Sequence, residues 1–361
     1  MIKADELKTT WTIEDVLTTN GLIEEHAPKS GQIHVLVVIP KLLSKRPRVD
    51  GDDGLSVQSK KRKMGDEDNG DDRVLRYFTM AGFPPLEHPR TLYKTIMERD
   101  SYIVIFRELM RKVKMCFKDK SDSNIVVTGN PGTGKSRFYL YCIFQLIRCH
   151  RVEVQELSSF ELVLNCNNNF QVYQPDTKEF VYLSVADVKE LMTRGRVLRL
   201  TDGTSSMLCG WHGVSILFAA PDTPRMSNYA KVESFKYIMP AWSLEELQDY
   251  NSLLSDKLEL PDDVLISRYK KFGGIPRYIF TWTERGNVEE QRRAIASCNA
   301  QDMISYVSRK LPVPVNSRDH SDSILVMVPS EIPSGGCVQV QMISGRHIPR
   351  YDIRRHQELP M

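Results

Sequence analysis

Residues 129 to 136 read GNPGTGKS, so that three glycines are followed by a lysine and a serine. The strand-like run NIVVT precedes this segment, and the apolar, helix-like run RFYLYCIFQLI follows it. Glycines let a backbone wrap closely around phosphate oxygens, and the amides at the start of a helix point toward an anion. A strand, a glycine-rich loop and a helix in this order predict a phosphate-binding P-loop, with an accidental glycine-rich turn as the alternative.

The residue types in this loop predict how it would bind a nucleotide. Lys135 is expected to contact the β- and γ-phosphates of a nucleoside triphosphate, and the Ser136 hydroxyl is expected to ligate Mg²⁺. The loop is compatible with ATP and with GTP. The predicted nucleotide-binding residues are Gly129, Asn130, Pro131, Gly132, Thr133, Gly134, Lys135 and Ser136.

Residues outside the loop are further candidates. Asp202 ends the strand-like run RVLRLTD, where an acidic residue is expected to hold the water shell of magnesium, and a turn-forming Asp-Gly pair is the alternative. A glycine follows Asp202, so the usual water-activating glutamate is not evident. In FGGIPRY, Arg277 is a candidate cation for the γ-phosphate, with a helix stop and a solvated arginine as the alternative. Asp222 and Thr223, after the next strand, are weaker candidates. The candidate catalytic residues are therefore Lys135, Asp202 and Arg277, and the candidate metal-binding residues are Ser136 and Asp202.

Composition restricts the other functional classes. Lys and Arg number 49 against 46 Asp and Glu among the 361 residues, which argues against a surface that binds nucleic acid uniformly. The seven cysteines are scattered without any Cys-x-x-Cys pair, which indicates a reducing compartment and disfavours a zinc ribbon. The first thirty residues contain no apolar run of the kind that a conventional signal peptide has.

Strand-like and helix-like runs alternate after residue 120, which predicts an α/β fold. We expect a P-loop NTPase of the ASCE/STAND-like type, with a parallel sheet, helices on both faces and a small helical lid. Residues 73 to 120 are expected to be mostly helical. The predicted units are a short opening unit at 1–40, a disordered linker at 41–72, the P-loop core with a lead-in helix at 73–240, the helical lid at 241–312, and a hairpin with a tail at 313–361.

The predicted linker carries two basic clusters separated by residues 49 to 59. They consist of Lys45, Arg46 and Arg48, and of Lys60, Lys61, Arg62 and Lys63. Two clusters on an extended chain are typical of a bipartite nuclear-import signal, because each cluster can enter one acidic groove of an import receptor. A solvated charged linker and a non-specific nucleic-acid contact are the alternatives.

Several motifs together resemble one known family. The run IHVLVVIP at 33 to 40 resembles the motif that closes the amino-terminal translocation module of Crinkler effectors. The runs RVLRLTDG, ILFAAP, YIMPAWSLEEL and FGGIPRY resemble the P-loop domain that those proteins share with retrotransposon-hot-spot proteins. The resemblance implies a modular effector of oomycetes or some fungi that acts in a host cell nucleus. It also implies that nucleotide state controls assembly or an attached toxin, which is often a nuclease.

The candidate site residues and the family resemblance together predict a function for the chain. We expect a nuclear effector, secreted by an unconventional route, in which Mg²⁺-ATP or Mg²⁺-GTP supports slow hydrolysis or a switch. The alternative is a nuclear binding module or scaffold in which nucleotide is structural. The expected partners are a nuclear import receptor, a second copy of the chain, and a host nuclear protein or DNA, without a membrane. The opening unit at 1–40 is expected to be a truncated form of the Crinkler translocation module, and the tail shows no nuclease motif.

Overall fold

A computed structural model describes residues 58–62, 73–80, 83–84, 86, 88, 95–148, 152–155, 157, 159–220, 229, 235–255, 258–280, 284–297, 325–329 and 338–342. The strands are β1 (Gln58–Arg62), β2 (Arg73–Thr79), β3 (Thr95–Met97), β4 (Ser123–Thr128), β5 (Glu161–Cys166), β6 (Asn169–Gln174), β7 (Glu179–Tyr182), β8 (Val197–Asp202), β9 (Val214–Phe218), β10 (Phe235–Ile238), β11 (Leu325–Pro329) and β12 (Val338–Met342). The helices are α1 (Asp100–Asp119), α2 (Lys135–Arg148), α3 (Val152–Gln155), α4 (Val185–Leu191), α5 (Leu244–Asn251), α6 (Asp262–Phe272), α7 (Pro276–Ile279) and α8 (Glu284–Ser297). Within these ranges no helix combines the length and the hydropathy that a membrane span needs.

Seven strands form the central sheet, in the order β10-β4-β9-β8-β5-β6-β7. The first five are mutually parallel, and β6 and β7 extend the sheet as antiparallel strands. Strand β9 lies between β4, which leads into the P-loop, and β8, which ends at Asp202. This order, in which an inserted strand separates the loop from the acidic strand, confirms the predicted P-loop NTPase fold.

Helices cover both faces of this sheet, as predicted. Successive residues of a strand point to opposite faces. On one face, Leu198 and Leu200 of β8 are buried in the main core together with the apolar residues of α1 and α2. On the other face, Val197 packs in a second cluster with Val188 of α4.

The region before the core differs from the sequence prediction. Residues 73 to 120 were expected to be mostly helical, but β2 and β3 precede a helix that begins only at Asp100. The run RVLRYFT is rich in β-branched and aromatic residues, which suit a pleated strand. Its backbone pairs with β1 on one side and with β3 on the other. The helical prediction was therefore wrong for these two strands and correct for α1.

The prediction of a disordered linker at 41–72 was wrong for Gln58–Arg62. These residues form β1, an edge strand that pairs antiparallel with β2, so that Lys60 lies opposite Leu75. The prediction counted apolar side chains, whereas an edge strand is also held by backbone hydrogen bonds. The neighbouring strand β2 contributes the buried apolar side chains, Leu75 and Phe78. The rest of the linker lies outside the described residues, and we call β1 to β3 the amino-terminal sheet.

Three helices after the central sheet form a unit with its own small core. Ser243 and Glu246 make a capping box at the start of α5. Helix α6 ends at Phe272, with Gly273 as its C-cap residue. Trp242, Leu247, Leu265 and Phe272 are among the buried residues that hold this unit together. We call α5 to α7 the helical unit.

The carboxy-terminal predictions are confirmed in part. In the last part of the predicted helical lid at 241–312, the structure describes α8, which ends at Ser297. The predicted hairpin is present as the antiparallel pair of β11 and β12.

Candidate nucleotide-binding site

The loop between β4 and α2 has the backbone that a phosphate-binding loop needs. Gly132 has a φ of +87°, in the left-handed region that favours glycine. A Cβ added at Gly132 would lie 2.7 Å from the Cβ of Arg277. Gly132 therefore allows both the backbone turn and the close approach of a second segment of the chain.

Hydrogen bonds within the loop hold its shape. The Lys135 ammonium donates to the carbonyl oxygens of Gly129 and Asn130, at 2.6 and 2.9 Å. The Thr133 hydroxyl donates to the same Asn130 carbonyl at 2.8 Å. The predicted phosphate-contacting cation thus lies directly over the loop that it is expected to serve.

Ser136 and Asp202 meet at one point, although 66 positions of sequence separate them. The Ser136 hydroxyl donates to Asp202 Oδ1 at 3.2 Å. Ser136 lies in the first turn of α2, and Asp202 ends β8 beyond the intervening β9. The structure therefore brings both predicted metal-binding residues together at the carboxyl edge of the sheet.

His88 also contacts Asp202 and was not predicted. Its Nε2 atom lies 2.8 Å from Asp202 Oδ2, and its side chain is 0% exposed. The His88 ring stacks on Tyr139 of α2, with ring centroids 5.1 Å apart. Burial, followed by the charge of Asp202, raises the pKa of Tyr139 well above its usual value, so this phenol stays neutral beside the carboxylate. No spacing pattern in the sequence marks this histidine as a site residue.

The helical unit contacts the opposite side of the loop. Arg277, in α7, lies beside Gly132 and is exposed to solvent. The Trp242 indole donates to the Thr133 carbonyl at 2.8 Å. A Cβ added at Gly274 would lie 1.8 Å from the Trp242 carbonyl oxygen, so the FGG turn packs directly on the backbone before α5. Arg277 is therefore placed where a cation could face the phosphates from this side.

Arg99 is a second residue that sequence reasoning missed. Its guanidinium donates to both carboxylate oxygens of Glu246, at 2.9 and 2.8 Å, and its side chain is 1% exposed. It also lies over the Trp242 ring, 4.6 Å from the centroid. Glu246 lies 147 positions away in the sequence, so no local pattern marks it as the partner of Arg99.

A tyrosine of α1 completes the contacts around the loop. The Tyr102 hydroxyl donates to the Gly134 carbonyl at 3.3 Å. Burial, partly opposed by the charge of Arg99, raises the pKa of Tyr102 to about 12, so the hydroxyl stays a donor at neutral pH. Side chains of α1 and of the helical unit thus hold adjacent carbonyl groups of the loop.

Some predicted residues lie outside the described part of the chain. These are Asp222 and Thr223, and, from the basic clusters, Lys45, Arg46, Arg48 and Lys63. Lys60, Lys61 and Arg62 lie in β1. The Lys60 ammonium donates to the carbonyl of Ser252, the C-cap residue of α5, at 2.6 Å.

Comparison with known proteins finds curated relatives that are Crinkler effectors. Crinkler effector protein 15 of Phytophthora infestans is 26% identical over 333 residues, which cover 90% of this chain and 49% of that protein. Crinkler effector protein 16 of the same organism is 25% identical over 333 residues, covering 90% of this chain and 48% of its own length. Crinkler effector protein 63 of Phytophthora sojae (strain P6497) is 56% identical over 43 residues, covering 11% of this chain and 10% of its own length.

Comparison with solved structures gives matches that include two proteins of other organisms. The Aeropyrum pernix ORC2 protein, solved as ADPNP-ADP complexes, is 14% identical with a TM-score of 0.31, covering 64% of this chain and 67% of that chain. A Thermotoga maritima RuvB mutant is 9% identical with a TM-score of 0.27, covering 56% of this chain and 70% of that chain. No protein-family profile matches the chain. The strand order described above, and not these similarities, identifies the fold.

The resemblance seen in the sequence motifs is confirmed, because Crinkler effector proteins are homologues of this chain over nine tenths of its length. The chain spans about half the length of the two P. infestans relatives.

Proposed function

We propose that this chain is an effector acting in the nucleus of a host cell, in which a P-loop domain binds Mg²⁺-ATP or Mg²⁺-GTP as a slow NTPase or a nucleotide switch. The nucleotide would control assembly or the binding of a partner. The observation that carries the proposal is the 3.2 Å hydrogen bond from Ser136 to Asp202. It joins the end of the phosphate loop to the acidic strand, which is the pairing that a magnesium-nucleotide site needs.

The side chains at this point fit a magnesium ion shared with a nucleotide. Mg²⁺ prefers oxygen ligands and is usually held by one or two protein groups together with waters and substrate phosphates. Ser136 and Asp202 offer a hydroxyl and a carboxylate. Among the described residues, no group of three or more His, Cys, Asp and Glu side chains could hold a metal by itself. A shared ion therefore suits this donor set better than a closed protein cage.

The candidate site residues would then have separate roles in nucleotide binding. Lys135 would neutralise charge on the β- and γ-phosphates, and the glycine-rich backbone would present its amides to them. Ser136 would hold Mg²⁺ directly and Asp202 would hold it through water, and the bound ion would supply charge that stabilises the phosphate oxygens. Arg277 would face the same phosphates from the helical unit.

The surroundings of Asp202 favour slow turnover or none. Gly203 occupies the position where a water-activating glutamate is expected. Both oxygens of Asp202 are engaged, Oδ1 by Ser136 and Oδ2 by His88. These contacts support the second candidate function, a nuclear binding module or scaffold in which nucleotide is structural.

Binding and turnover of nucleotide by the purified chain test the proposal. Lys135→Ala removes a charge-assisted contact worth about 1.5–3 kcal/mol, so the affinity should fall about 10- to 100-fold. Asp202→Ala should reduce the dependence of affinity on Mg²⁺, because the water shell of the ion loses its carboxylate partner. The exposed residues Lys189 and Asp176 provide matched controls, Lys189→Ala and Asp176→Ala, which should bind as the wild type does.

The outcomes separate the candidate functions. Turnover that both site variants abolish would establish an NTPase. Magnesium-dependent binding without turnover would establish a switch or a scaffold, and sizing of the chain with and without nucleotide would tell these two apart. A wild-type chain that binds neither ATP nor GTP would overturn the proposal.

We also propose that the basic clusters carry the chain into the nucleus through an import receptor. Lys60, Lys61 and Arg62 lie on an edge strand, whose other side is not paired within the described residues. An import receptor reads an extended segment, and an edge strand is already extended. Strand β1 would have to separate from β2 before its side chains could enter a receptor groove. Receptor binding would therefore compete with the pairing of β1 and β2.

A fluorescent fusion tests nuclear import. Alanine at Lys60, Lys61, Arg62 and Lys63 should abolish nuclear enrichment. A charge-matched control takes alanine at four exposed residues elsewhere, Lys189, Arg285, Arg292 and Arg293, and should remain nuclear. Equal enrichment of the two variants would contradict import by this cluster.

A further inference from the structure

His88 reaches the predicted magnesium position from outside the P-loop core. It lies in the connection between β2 and β3, 114 positions before Asp202. Its side chain is 0% exposed, and that of Asp202 is 14% exposed. Buried polar side chains are normally hydrogen-bonded, and the partner of His88 is the acidic residue of the candidate site.

The chemistry of the two groups determines which of them donates the hydrogen bond. A carboxylate only accepts hydrogen bonds, so the Nε2 atom of His88 carries the proton and donates it to Asp202 Oδ2 at 2.8 Å. The other oxygen, Oδ1, accepts from Ser136 at 3.2 Å. The two donors approach different oxygens of one carboxyl group and so oppose its rotation about the Cβ–Cγ bond.

The His88 ring is itself held in place by the helix that carries Ser136. It stacks on Tyr139 with an interplanar angle of 24°. Tyr139 makes an edge contact with Phe218 of β9, with ring centroids 5.5 Å apart. Because Ser136 and Tyr139 share α2, both donors to Asp202 are positioned by the same rigid element.

We propose that His88 is a positioning residue of the nucleotide site, which orients the Asp202 carboxylate toward the water shell of Mg²⁺. The inference rests on the proposed nucleotide binding and adds to it a residue from the connection between β2 and β3. Groups that orient a metal-binding side chain commonly change metal affinity about 10- to 100-fold when they are removed. His88 acts through Asp202 and needs no contact with the nucleotide.

Two substitutions separate orientation from packing. His88→Phe retains an aromatic ring against Tyr139 and removes the donor. His88→Gln removes the ring and offers an amide donor at a similar distance from the backbone. The affinity for a fluorescent ATP analogue is measured with Mg²⁺ and with EDTA, and Mn²⁺ binding to the nucleotide-bound chain is followed by electron paramagnetic resonance. His88→Met, which also lacks a donor, replaces His88→Phe if that variant does not fold.

We expect the substitutions to change nucleotide affinity only when a metal ion is present. His88→Phe should weaken binding in Mg²⁺ about 10-fold or more and weaken Mn²⁺ binding in parallel, while affinity in EDTA stays at the wild-type value. His88→Gln should recover most of the loss. In an Asp202→Asn background, His88→Phe should cause no further loss.

Other results would overturn the inference. Equal losses in Mg²⁺ and in EDTA, or a loss in His88→Gln as large as in His88→Phe, would show that the ring only packs. Wild-type binding that depends on Mg²⁺ and is unchanged by His88→Phe would overturn this inference and leave the proposed function intact. Absence of nucleotide binding in the wild type would overturn both.

Discussion

The connection between β2 and β3 and the helical unit both contact the candidate nucleotide site, but they do so in different ways. The connection between β2 and β3 contacts the site through a partly buried hydrogen bond from His88 to Asp202, on the side of the predicted metal. The helical unit reaches it through close packing at Gly274 and the indole bond from Trp242 to Thr133, on the side of the loop itself. The first contact can orient a single carboxylate, whereas the second can move the loop.

Arg99 connects these two regions. It lies two positions after β3, and its guanidinium pairs with Glu246 of α5 and lies over the ring of Trp242. A displacement of the helical unit would therefore strain the start of α1 as well as the loop. Such a link is what a nucleotide switch requires, because a change at the phosphates must reach a distant surface.

Breaking this link should have the largest effect on stability. Arg99→Met removes the guanidinium that donates to Glu246 and to nearby carbonyl groups, and removing one partner of a buried ion pair costs about 3–5 kcal/mol. We expect the free energy of unfolding, measured in urea, to fall by about 3 kcal/mol.

An exposed arginine provides the matched control for this prediction. Arg194 also pairs with two carboxylates, those of Glu161 and Glu190, but its side chain is 46% exposed. Water screens such pairs, so Arg194→Met should leave the free energy of unfolding close to the wild-type value. Equal losses in the two variants would show that burial does not distinguish them.

Separating the helical unit from the loop should have the next largest effect. In Gly274→Ala the new Cβ would lie 1.8 Å from the Trp242 carbonyl oxygen, and this backbone is held by the bond from Trp242 N to Gly274 O at 2.7 Å. Overpacking of this kind costs about 1–3 kcal/mol. Nucleotide affinity should fall too, because Trp242 must move away from Thr133.

Gly195→Ala is the control for that substitution, because a Cβ at Gly195 would meet no atom within 4 Å. Its midpoint of urea unfolding and its nucleotide affinity should match the wild type. A Gly274→Ala chain as stable as this control would contradict the packing seen at the turn.

Removing only the indole donor should have a smaller effect. Trp242→Phe keeps an aromatic ring but deletes the bond to the Thr133 carbonyl, which should cost about 1 kcal/mol of stability and weaken nucleotide binding severalfold. Trp211 donates to the Met207 carbonyl at 2.9 Å in a cluster away from the loop. Trp211→Phe should therefore lose similar stability and retain full nucleotide affinity. Equal nucleotide affinities in the two variants would contradict a specific role for Trp242.

The sequence predicted the parts of this site that local pattern defines. The glycines, Lys135 and Ser136 follow one another at fixed spacing, and Asp202 ends a recognisable strand, so residue type and position sufficed. The strand order then brought Ser136 and Asp202 together, as the predicted fold requires. Helices α5 and α6 lie within the helical lid that was predicted at 241–312.

Long-range polar contacts could not be predicted in the same way. Glu246 lies 147 positions from Arg99, and Asp202 lies 114 positions from His88. Neither pair belongs to a local pattern, because packing of distant segments creates both. Strand β1 was not predicted, because the charged run QSKKR has no apolar alternation and the strand is held by backbone pairing with β2.

The smallest effect is expected where the amino-terminal sheet touches the helical unit at the surface. The Lys60 ammonium donates to the Ser252 carbonyl at 2.6 Å, at the C-terminal end of α5, and Lys60 is exposed. A cation at a helix C-terminus contributes about 0.3–1 kcal/mol at low salt. Lys60→Ala should therefore lower the free energy of unfolding by less than about 1 kcal/mol, and the difference should vanish in high salt. A larger loss that persists in high salt would mean that β1 is a structural link between the two regions, and its release for import would then destabilise the helical unit as well.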